Sequence, residues 1–243
     1  MSSWLDPVRA ALDASVEPVE CFFRDDDAGW DDDGLCRLLD RSRANGVHID
    51  VAVIPVELGA RLAKLLRDQA ASGLVHLHQH GFRHVNHEHN GRKYEFGPSR
   101  SHDQQLADIA EGRALMDDQL QPYVDPIFTP PWNRCTEDTA AALVNLGFRV
   151  LSCDKTAESF NRDDLAEVPV TVDWFATNKG EALTRDQIGQ KIAQQVTEAS
   201  RRVGVMLHHA VTDLDNLAMV DELLALVAGH PMAKSTSIYC SSF

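Results

Sequence analysis

Short apolar runs alternate with longer, helix-like stretches along most of the chain. Seven runs are rich in β-branched and aromatic residues, and several are apolar almost throughout, as parallel strands buried on both faces are. We predict these runs to be strands, at residues 19–23, 49–54, 74–77, 126–129, 148–152, 168–174 and 203–207. Leucines at helical spacing, such as Leu35, Leu38 and Leu39, lie in the intervals between them.

Helix start and stop signals support this alternation. Ser101 with Gln104, and Thr184 with Gln187, match the capping-box pattern of a helix start. Gly147 stands where a helix should end. The chain is therefore predicted to alternate strand and helix along its length.

The number of strand–helix units predicts the fold class. About seven units, with no glycine-rich phosphate fingerprint after the first strand, favour a parallel α/β barrel over a dinucleotide-binding open sheet. An open, doubly wound sheet is the alternative, because periodicity does not show whether a sheet closes. A chain of 243 residues with 44% hydrophobic content is long enough for one complete core, so we expect a single domain over residues 1–243.

Charge and cysteine content restrict the partners and the compartment. The chain has 23 Lys and Arg against 37 Asp and Glu, a formal charge of −14, which disfavours nucleic acid or an anionic membrane and favours a neutral or cationic substrate. Its five cysteines are widely spaced and include no C-x-x-C pair: Cys21, Cys36, Cys135, Cys153 and Cys240. We expect free thiols in a reducing compartment. With no uninterrupted apolar stretch of signal or membrane-span length, the predicted location is cytoplasmic.

Six of the eleven histidines lie in the segment 75–90, and two of them have the spacing of a metal-binding pair. These are His80 and His84, and a carboxylate ligand is available upstream in Asp25, Asp26 and Asp27. Imidazole and carboxylate together suit zinc or a similar divalent ion, and a catalytic zinc site typically has three protein ligands. The alternative is a solvated, histidine-rich loop that binds metal loosely.

Ionisable or rigid residues recur where the predicted strands end, which is where a parallel barrel places its active site. They are Asp26 and Asp27, His80, Pro130 to Trp132, Asp173 and Trp174, and His208 and His209. Of two adjacent carboxylates, one can bind the metal and the other can act as general base. The alternative is that these aspartates only cap the next helix, a role for which residues 31–33 are better placed. A histidine can act as general acid. Strand alternation predicts that His208 faces the barrel mouth and His209 the barrel wall.

Taken together, these residues resemble the NodB-homology polysaccharide deacetylases, carbohydrate esterase family four. The resemblance extends from Cys21 to about Gly229 through five motifs in the family's order. They match Asp26-Asp27, His80 with His84, residues 128–134, Asp173-Trp174 and Met206-Leu207-His208. The histidine motif in the presence of the aspartate motif is the specific part.

The resemblance implies a distorted (β/α) barrel of about seven strands and a metal-dependent deacetylase that removes an N-acetyl group from a carbohydrate. It implies one divalent metal, most often zinc, held by Asp27, His80 and His84. Asp26 would be the general base and His208 the general acid. Further residues are expected to orient these groups or contact substrate: Asp25, Trp132, Arg134, Asp173, Trp174 and His209, with Tyr94 and Phe175 as further aromatic candidates.

Two motifs depart from the family pattern. Asp25 stands where an aromatic residue is usual. The two acids that act could therefore be Asp25 with Asp26 or Asp26 with Asp27. The arginine that usually steadies the base is absent from the third motif, and Arg134 replaces it only if its loop folds back. Two other functions therefore stay open: hydrolysis of a small linear or cyclic amide, and a catalytically silent barrel that binds a carbohydrate or a partner.

Overall fold

Parallel strands dominate the computed structural model, which describes residues 3–198 and 202–239. Eight strands form one curled sheet: β1 Val19–Ala28, β2 Ile49–Val53, β3 Val75–His80, β4 Val124–Thr129, β5 Val150–Leu151, β6 Ala166–Glu167, β7 Val172–Asp173 and β10 Arg202–Leu207. Their spatial order is β6-β5-β4-β3-β2-β1-β10-β7. The short strands β8 Thr177–Asn178 and β9 Glu181–Ala182 form a separate hairpin, and β11 Ala233–Ser235 pairs with the start of β1.

One extended segment joins the two edges of the curled sheet. Its first half pairs with β5: the Val168 amide donates to the Leu151 carbonyl at 3.0 Å. Its second half pairs with β10: the Thr171 amide donates to the Gly204 carbonyl at 2.8 Å. Of the predicted strand 168–174, only Val172–Asp173 is a regular strand, β7, because the segment changes partner between β5 and β10; β6 ends just before it at Glu167. The predicted distorted barrel is confirmed, and the open-sheet alternative is wrong.

Helices cover the outside of this barrel. They are α1 Asp6–Asp13, α2 Asp32–Asn45, α3 Ala60–Ala70, α4 His102–Leu120, α5 Glu137–Asn145, α6 Arg185–Thr197 and α7 Leu214–Gly229. The capping boxes at Ser101 and Thr184 are confirmed, Asp31 caps α2 through the Gly34 amide, and Gly147 follows α5 at a φ of +79°. None of these helices combines the length and apolarity needed to cross a membrane.

Strand alternation gives the barrel an apolar outside and a mixed inside. In β1, Cys21 and Phe23 belong to the core beneath the helices, whereas Phe22 belongs to a separate apolar cluster with Met206. Arg24, on the same face as Phe22, is fully buried. Because side chains alternate along a strand, every second residue of β1, β2 and β3 faces the interior. Whether a polar residue of these strands lines the barrel interior therefore depends on its odd or even position along the strand.

The four cysteines within the described residues are free thiols, as predicted: Cys21, Cys36, Cys135 and Cys153. The prediction for Cys240 concerns a position outside the described ranges.

Candidate metal centre

We predicted that the aspartate pair follows the first strand, but the pair lies inside β1. A β-bulge at this point changes the direction of its side chains. The pairing register of β1 with β2 shifts between Asp25 and Ala28, and Asp27 has a φ of +70°. In a regular strand Asp26 and Asp27 would face opposite sides. The bulge turns Asp27 so that both carboxylates line the same cavity at the barrel mouth.

The histidine pair spans a tight turn at the end of β3. His80 is the last residue of the strand, and Gly81 and His84 both have φ near the left-handed region, at +56° and +55°. A side chain on Gly81 would collide with Pro131 Cδ at 2.5 Å, so the turn requires glycine there. Glu95, which is buried, accepts hydrogen bonds from the amides of Phe82 and Arg83 at 3.0 and 2.6 Å.

Glu95 was not anticipated from the sequence. Its carboxylate returns from the irregular 84–101 segment to hold the turn that carries both histidines. Nothing local to Glu95 in the sequence indicates this contact, because it depends on the fold of the segment.

Asp27, His80 and His84 converge on one point. Asp27 Oδ1 lies 3.1 Å from His80 Nε2 and 3.2 Å from His84 Nε2, and one ligand atom from each residue lies within 4.8 Å of the others. His80 Nδ1 lies 3.0 Å from the Thr129 carbonyl, which can only accept, so this contact holds the proton on Nδ1 and leaves Nε2 for a ligand bond. Burial alone would raise the pKa of Asp27, but its close contacts with His80 and His84 outweigh burial and hold the pKa well below its usual range.

These residues fit a divalent metal. Two imidazoles and one carboxylate are a donor set that zinc and similar ions take, and three protein ligands leave a position for water or substrate. Within the described residues, this trio is the one group of three or more such side chains whose ligand atoms converge.

Asp26 is held by an arginine from its own strand. Arg24 Nε donates to Asp26 Oδ1 at 2.8 Å and Nη2 donates to Oδ2 at 2.9 Å, a bidentate pair that is buried on both sides. The guanidinium is held in turn by the Ser152 carbonyl at 2.9 Å and the Asn133 side-chain oxygen at 2.6 Å. Burial alone would raise the pKa of Asp26, but Arg24, His80 and His208 outweigh it and lower the pKa.

Arg134 therefore does not take the place of the arginine missing from the third motif. Its Nη1 reaches the Lys93 carbonyl at 3.5 Å instead of Asp26. The i, i+2 spacing of Arg24 and Asp26 on a strand is the signal that could have identified the true partner, because such residues share a face.

Asp25 and His209 form an ion pair behind the site. Asp25 Oδ2 lies 2.6 Å from His209 Nδ1, and Oδ1 accepts from the His209 amide at 2.9 Å. Burial alone would lower the pKa of His209, but Asp25 and the Trp30 carbonyl outweigh it and raise the pKa to about 9. His209 is thus a cation that faces the barrel wall, as predicted, and Asp25 does not share the cavity of Asp26 and Asp27.

His208 faces the cavity from the opposite side. Its side chain is 26% exposed, and its Nε2 lies 4.0 Å from Asp27 Oδ2. Phe175 packs edge-on against it, with ring centroids 6.1 Å apart. Asp173 was expected to orient His208, but its Oδ1 accepts from the Phe175 amide, and the described part of the chain contains no hydrogen bond between Asp173 and His208. Burial, the largest influence, raises the pKa of Asp173.

Two tryptophans flank His84, and one of them was predicted. Trp132 lies 4.6 Å from the His84 ring between centroids, and Trp30, which was not anticipated, lies 4.7 Å from it. Trp174 is not at the site: it is 2% exposed, packs edge-on against Trp4, and donates to Asn216. Alternation along the strand explains this outcome, because Trp174 points to the helices if Asp173 points inward.

The resulting cavity has a volume of about 400 Å³ and opens at the carboxyl ends of the strands. Its lining joins residues from distant parts of the sequence: Asp26, Asp27, Trp30, His80, His84, Lys93, Trp132, Asn133 and His208. Tyr94 and Arg134 line an adjoining cavity instead.

The fold is shared with many solved structures, although neither a family model nor a curated protein matches the sequence. A candidate polysaccharide deacetylase from Mycobacterium smegmatis superposes with a TM-score of 0.73 at 14% identity, over 94% of this chain and 91% of that one. A family 4 acetyl xylan esterase from Clostridium thermocellum, determined with a cobalt ion, superposes with a TM-score of 0.55 at 16% identity, over 84% of this chain and 83% of that one. A peptidoglycan N-acetylglucosamine deacetylase superposes with a TM-score of 0.59 at 14% identity, over 92% of this chain and 87% of that one.

These likenesses confirm the predicted resemblance at the level of the fold. The chain has the distorted barrel of the carbohydrate esterase family four deacetylases. The same fold also occurs in a pseudoenzyme of that family from Bacillus anthracis, so the barrel alone does not imply catalysis.

Proposed function

We propose that residues 1–243 form one catalytic domain, a divergent NodB-type deacetylase that hydrolyses an N-acetyl group from a carbohydrate with the help of a divalent metal. The observation that carries the proposal is the convergence of Asp27, His80 and His84 beside Asp26, in one cavity at the mouth of the barrel. The names of proteins with the same fold support an acetylated carbohydrate as substrate.

Asp27, His80 and His84 would hold the metal, and zinc is the ion we propose because it takes imidazole and carboxylate ligands. When bound, such an ion supplies Lewis-acid catalysis by acidifying water and polarising a carbonyl oxygen. The protein's contribution is a fixed set of ligands: the bulge orients Asp27, Thr129 orients His80, and Glu95 holds the turn that leads to His84.

Asp26 would act as general base. Its lowered pKa keeps it ionised at neutral pH, so it can accept a proton from the attacking water. The bidentate contact with Arg24 fixes its orientation, which compensates for the arginine missing from the third motif.

His208 would act as general acid. It is partly exposed, faces the same cavity, and lies across Asp27 from the two ligand histidines. An amine is a poor leaving group unless it is protonated, so a histidine at this position would donate the proton that completes cleavage.

The presence of both groups favours an enzyme over a silent binding barrel. A binding module needs neither a base nor an acid, whereas here Asp26 and His208 both line the cavity. Trp30 and Trp132 provide apolar faces beside His84, which suit a sugar ring. We also propose a reducing, cytoplasmic setting, which the free thiols support.

The proposal is tested by measuring metal content and acetate release together. We expect about one divalent ion per chain, and we expect release of acetate from N-acetylated oligosaccharides that stops on chelation and returns on zinc addition. The His80→Ala, His84→Ala double variant should stay folded and lose both properties. Full metal occupancy in that variant, or a zinc-loaded wild type that releases no acetate, would overturn the assignment.

A further inference from the structure

Three cations lie on one side of the candidate site. Lys93 lines the metal cavity, with its ammonium 5.8 Å from the centroid of the Trp132 ring. Arg92 and Arg134 line an adjoining cavity of about 200 Å³, and Asn133 is part of both cavities. The 84–101 segment and the loop after β4 thus bring positive charge to the edge of the proposed reaction site.

These cations have no carboxylate partner in the ranges 3–198 and 202–239. Many other arginines there do form ion pairs, as Arg61, Arg100, Arg162 and Arg185 do. Glu158 lines the second cavity, but it forms no ion pair with either of its arginines. The chain has 37 acidic and 23 basic residues, and this sum does not show that three unpaired cations cluster at the edge of the candidate site.

From this juxtaposition we infer that the substrate carries an oxyanion, a carboxylate or a phosphate, close to the amide that is cleaved, and that Lys93, Arg92 and Arg134 bind it. The inference rests on the proposed function and specifies its substrate class. Guanidinium and ammonium groups together suit such anions, since arginine matches the geometry of their oxygens. A volume of about 200 Å³ holds several waters at about 30 Å³ each, so it has space for an anion on a short substituent.

This inference reverses the expectation from the sequence. The net charge of −14 favours a neutral or cationic substrate if charge is averaged over the surface. At the site itself, loop residues provide a positive edge next to the cavity. Attraction of this kind weakens as salt is raised, which gives the inference a second signature.

The test compares three N-acetylated probes on zinc-loaded protein: N-acetylglucosamine, its 6-phosphate, and N-acetylmuramic acid, which carries a carboxylate. We expect kcat/KM for at least one anionic probe to exceed that of the neutral probe by tenfold or more, on the order of one good charge contact. The faster anionic probe identifies phosphate or carboxylate. Removing charge in the Lys93→Gln, Arg134→Gln double variant should bring the ratio near one.

Arg149→Gln is the matched control, because Arg149 is exposed and precedes β5 at the opposite end of the barrel. It should keep the wild-type ratio. Equal rates on all three probes, or a preference that the double variant retains, would overturn the inference while deacetylation of neutral oligosaccharides still upheld the proposed function.

If the wild type cleaves none of the three probes, calorimetry of the same zinc-loaded proteins with N-acetylglucosamine 6-phosphate decides the question. Binding that the double variant loses and Arg149→Gln keeps would support the anion site independently of catalysis. Absent or unchanged binding would overturn it.

Discussion

Both ends of the barrel hold acids and histidines, but within residues 3–198 and 202–239 only the mouth brings three such side chains together as a metal site would. At the mouth, Asp27, His80 and His84 converge beside a cavity. At the base, near the starts of β2, β3 and β4, Asp50 is fully buried and His76 Nδ1 lies 3.5 Å from Asp125. The residue types are the same, so composition does not explain the difference.

The surroundings of the acids at the two ends of the barrel explain the difference. At the base, both oxygens of Asp50 accept from the Ile238 amide, at 3.1 and 3.0 Å, so the segment after β11 closes that end. Burial raises the pKa of Asp50 to about 7, since His76, the Ile238 amide and Arg202 offset it only in part and Asp125 adds to it. At the mouth, two imidazoles lower the pKa of Asp27. A buried carboxylate is thus a candidate metal ligand in one place and a structural acceptor in the other.

The largest expected effect comes from exchanging the acids for amides at each end. Asp27→Asn should lose stoichiometric zinc and all activity above background, because it removes the one anionic ligand. Asp50→Asn should keep both. Elemental analysis after gel filtration, with circular dichroism to verify folding, measures the contrast; zinc loss in Asp50→Asn alone would reverse the assignment of the two ends.

The next largest effect distinguishes the general base from the metal ligand among the acids at the barrel mouth. Asp26→Asn should keep zinc and lower kcat by roughly 10² to 10⁴, the range typical of a lost general base. Asp25→Asn should disturb the His209 pair and folding stability instead. If Asp25→Asn gave the base phenotype and Asp26→Asn did not, the acting pair would be displaced by one residue.

A smaller and more selective effect is expected from the histidines. His208→Ala should slow an acetamide, whose amine needs a proton, by roughly 10² or more, while an activated aryl acetate loses far less. His76→Ala, at the base, should change neither rate. The measurement is the ratio of the two losses, and equal losses in His208→Ala would remove it from the acid role.

The smallest effect is on stability against pH. Between about pH 4 and pH 7 the folded state retains the Asp50 proton that the unfolded state has lost, so this group makes stability fall as pH rises, by at most about 1.4 kcal/mol per pH unit. Asp50→Asn should remove that slope. Urea midpoints of both proteins from pH 4.5 to 7.5 test this, and parallel curves would show that Asp50 is ionised in the fold.

The sequence by itself determined the alternation of strands and helices, the capping boxes, the H-x-x-x-H pair and the different orientations of His208 and His209. Each of these is local, because hydrophobic period and side-chain alternation extend over a few residues. The same alternation would have associated Arg24 with Asp26 and excluded Trp174, had it been applied to those pairs.

Only the tertiary structure decided the rest. The bulge that places Asp27 beside Asp26 depends on pairing with β2, and the contact of Glu95 with the histidine turn depends on how residues 84–101 return to the site. The positive edge formed by Arg92, Lys93 and Arg134 combines two loops that the sequence separates by about 40 positions. Net charge is a sum over the chain, whereas binding depends on the potential at one place, and only the folded chain fixes which charges meet there.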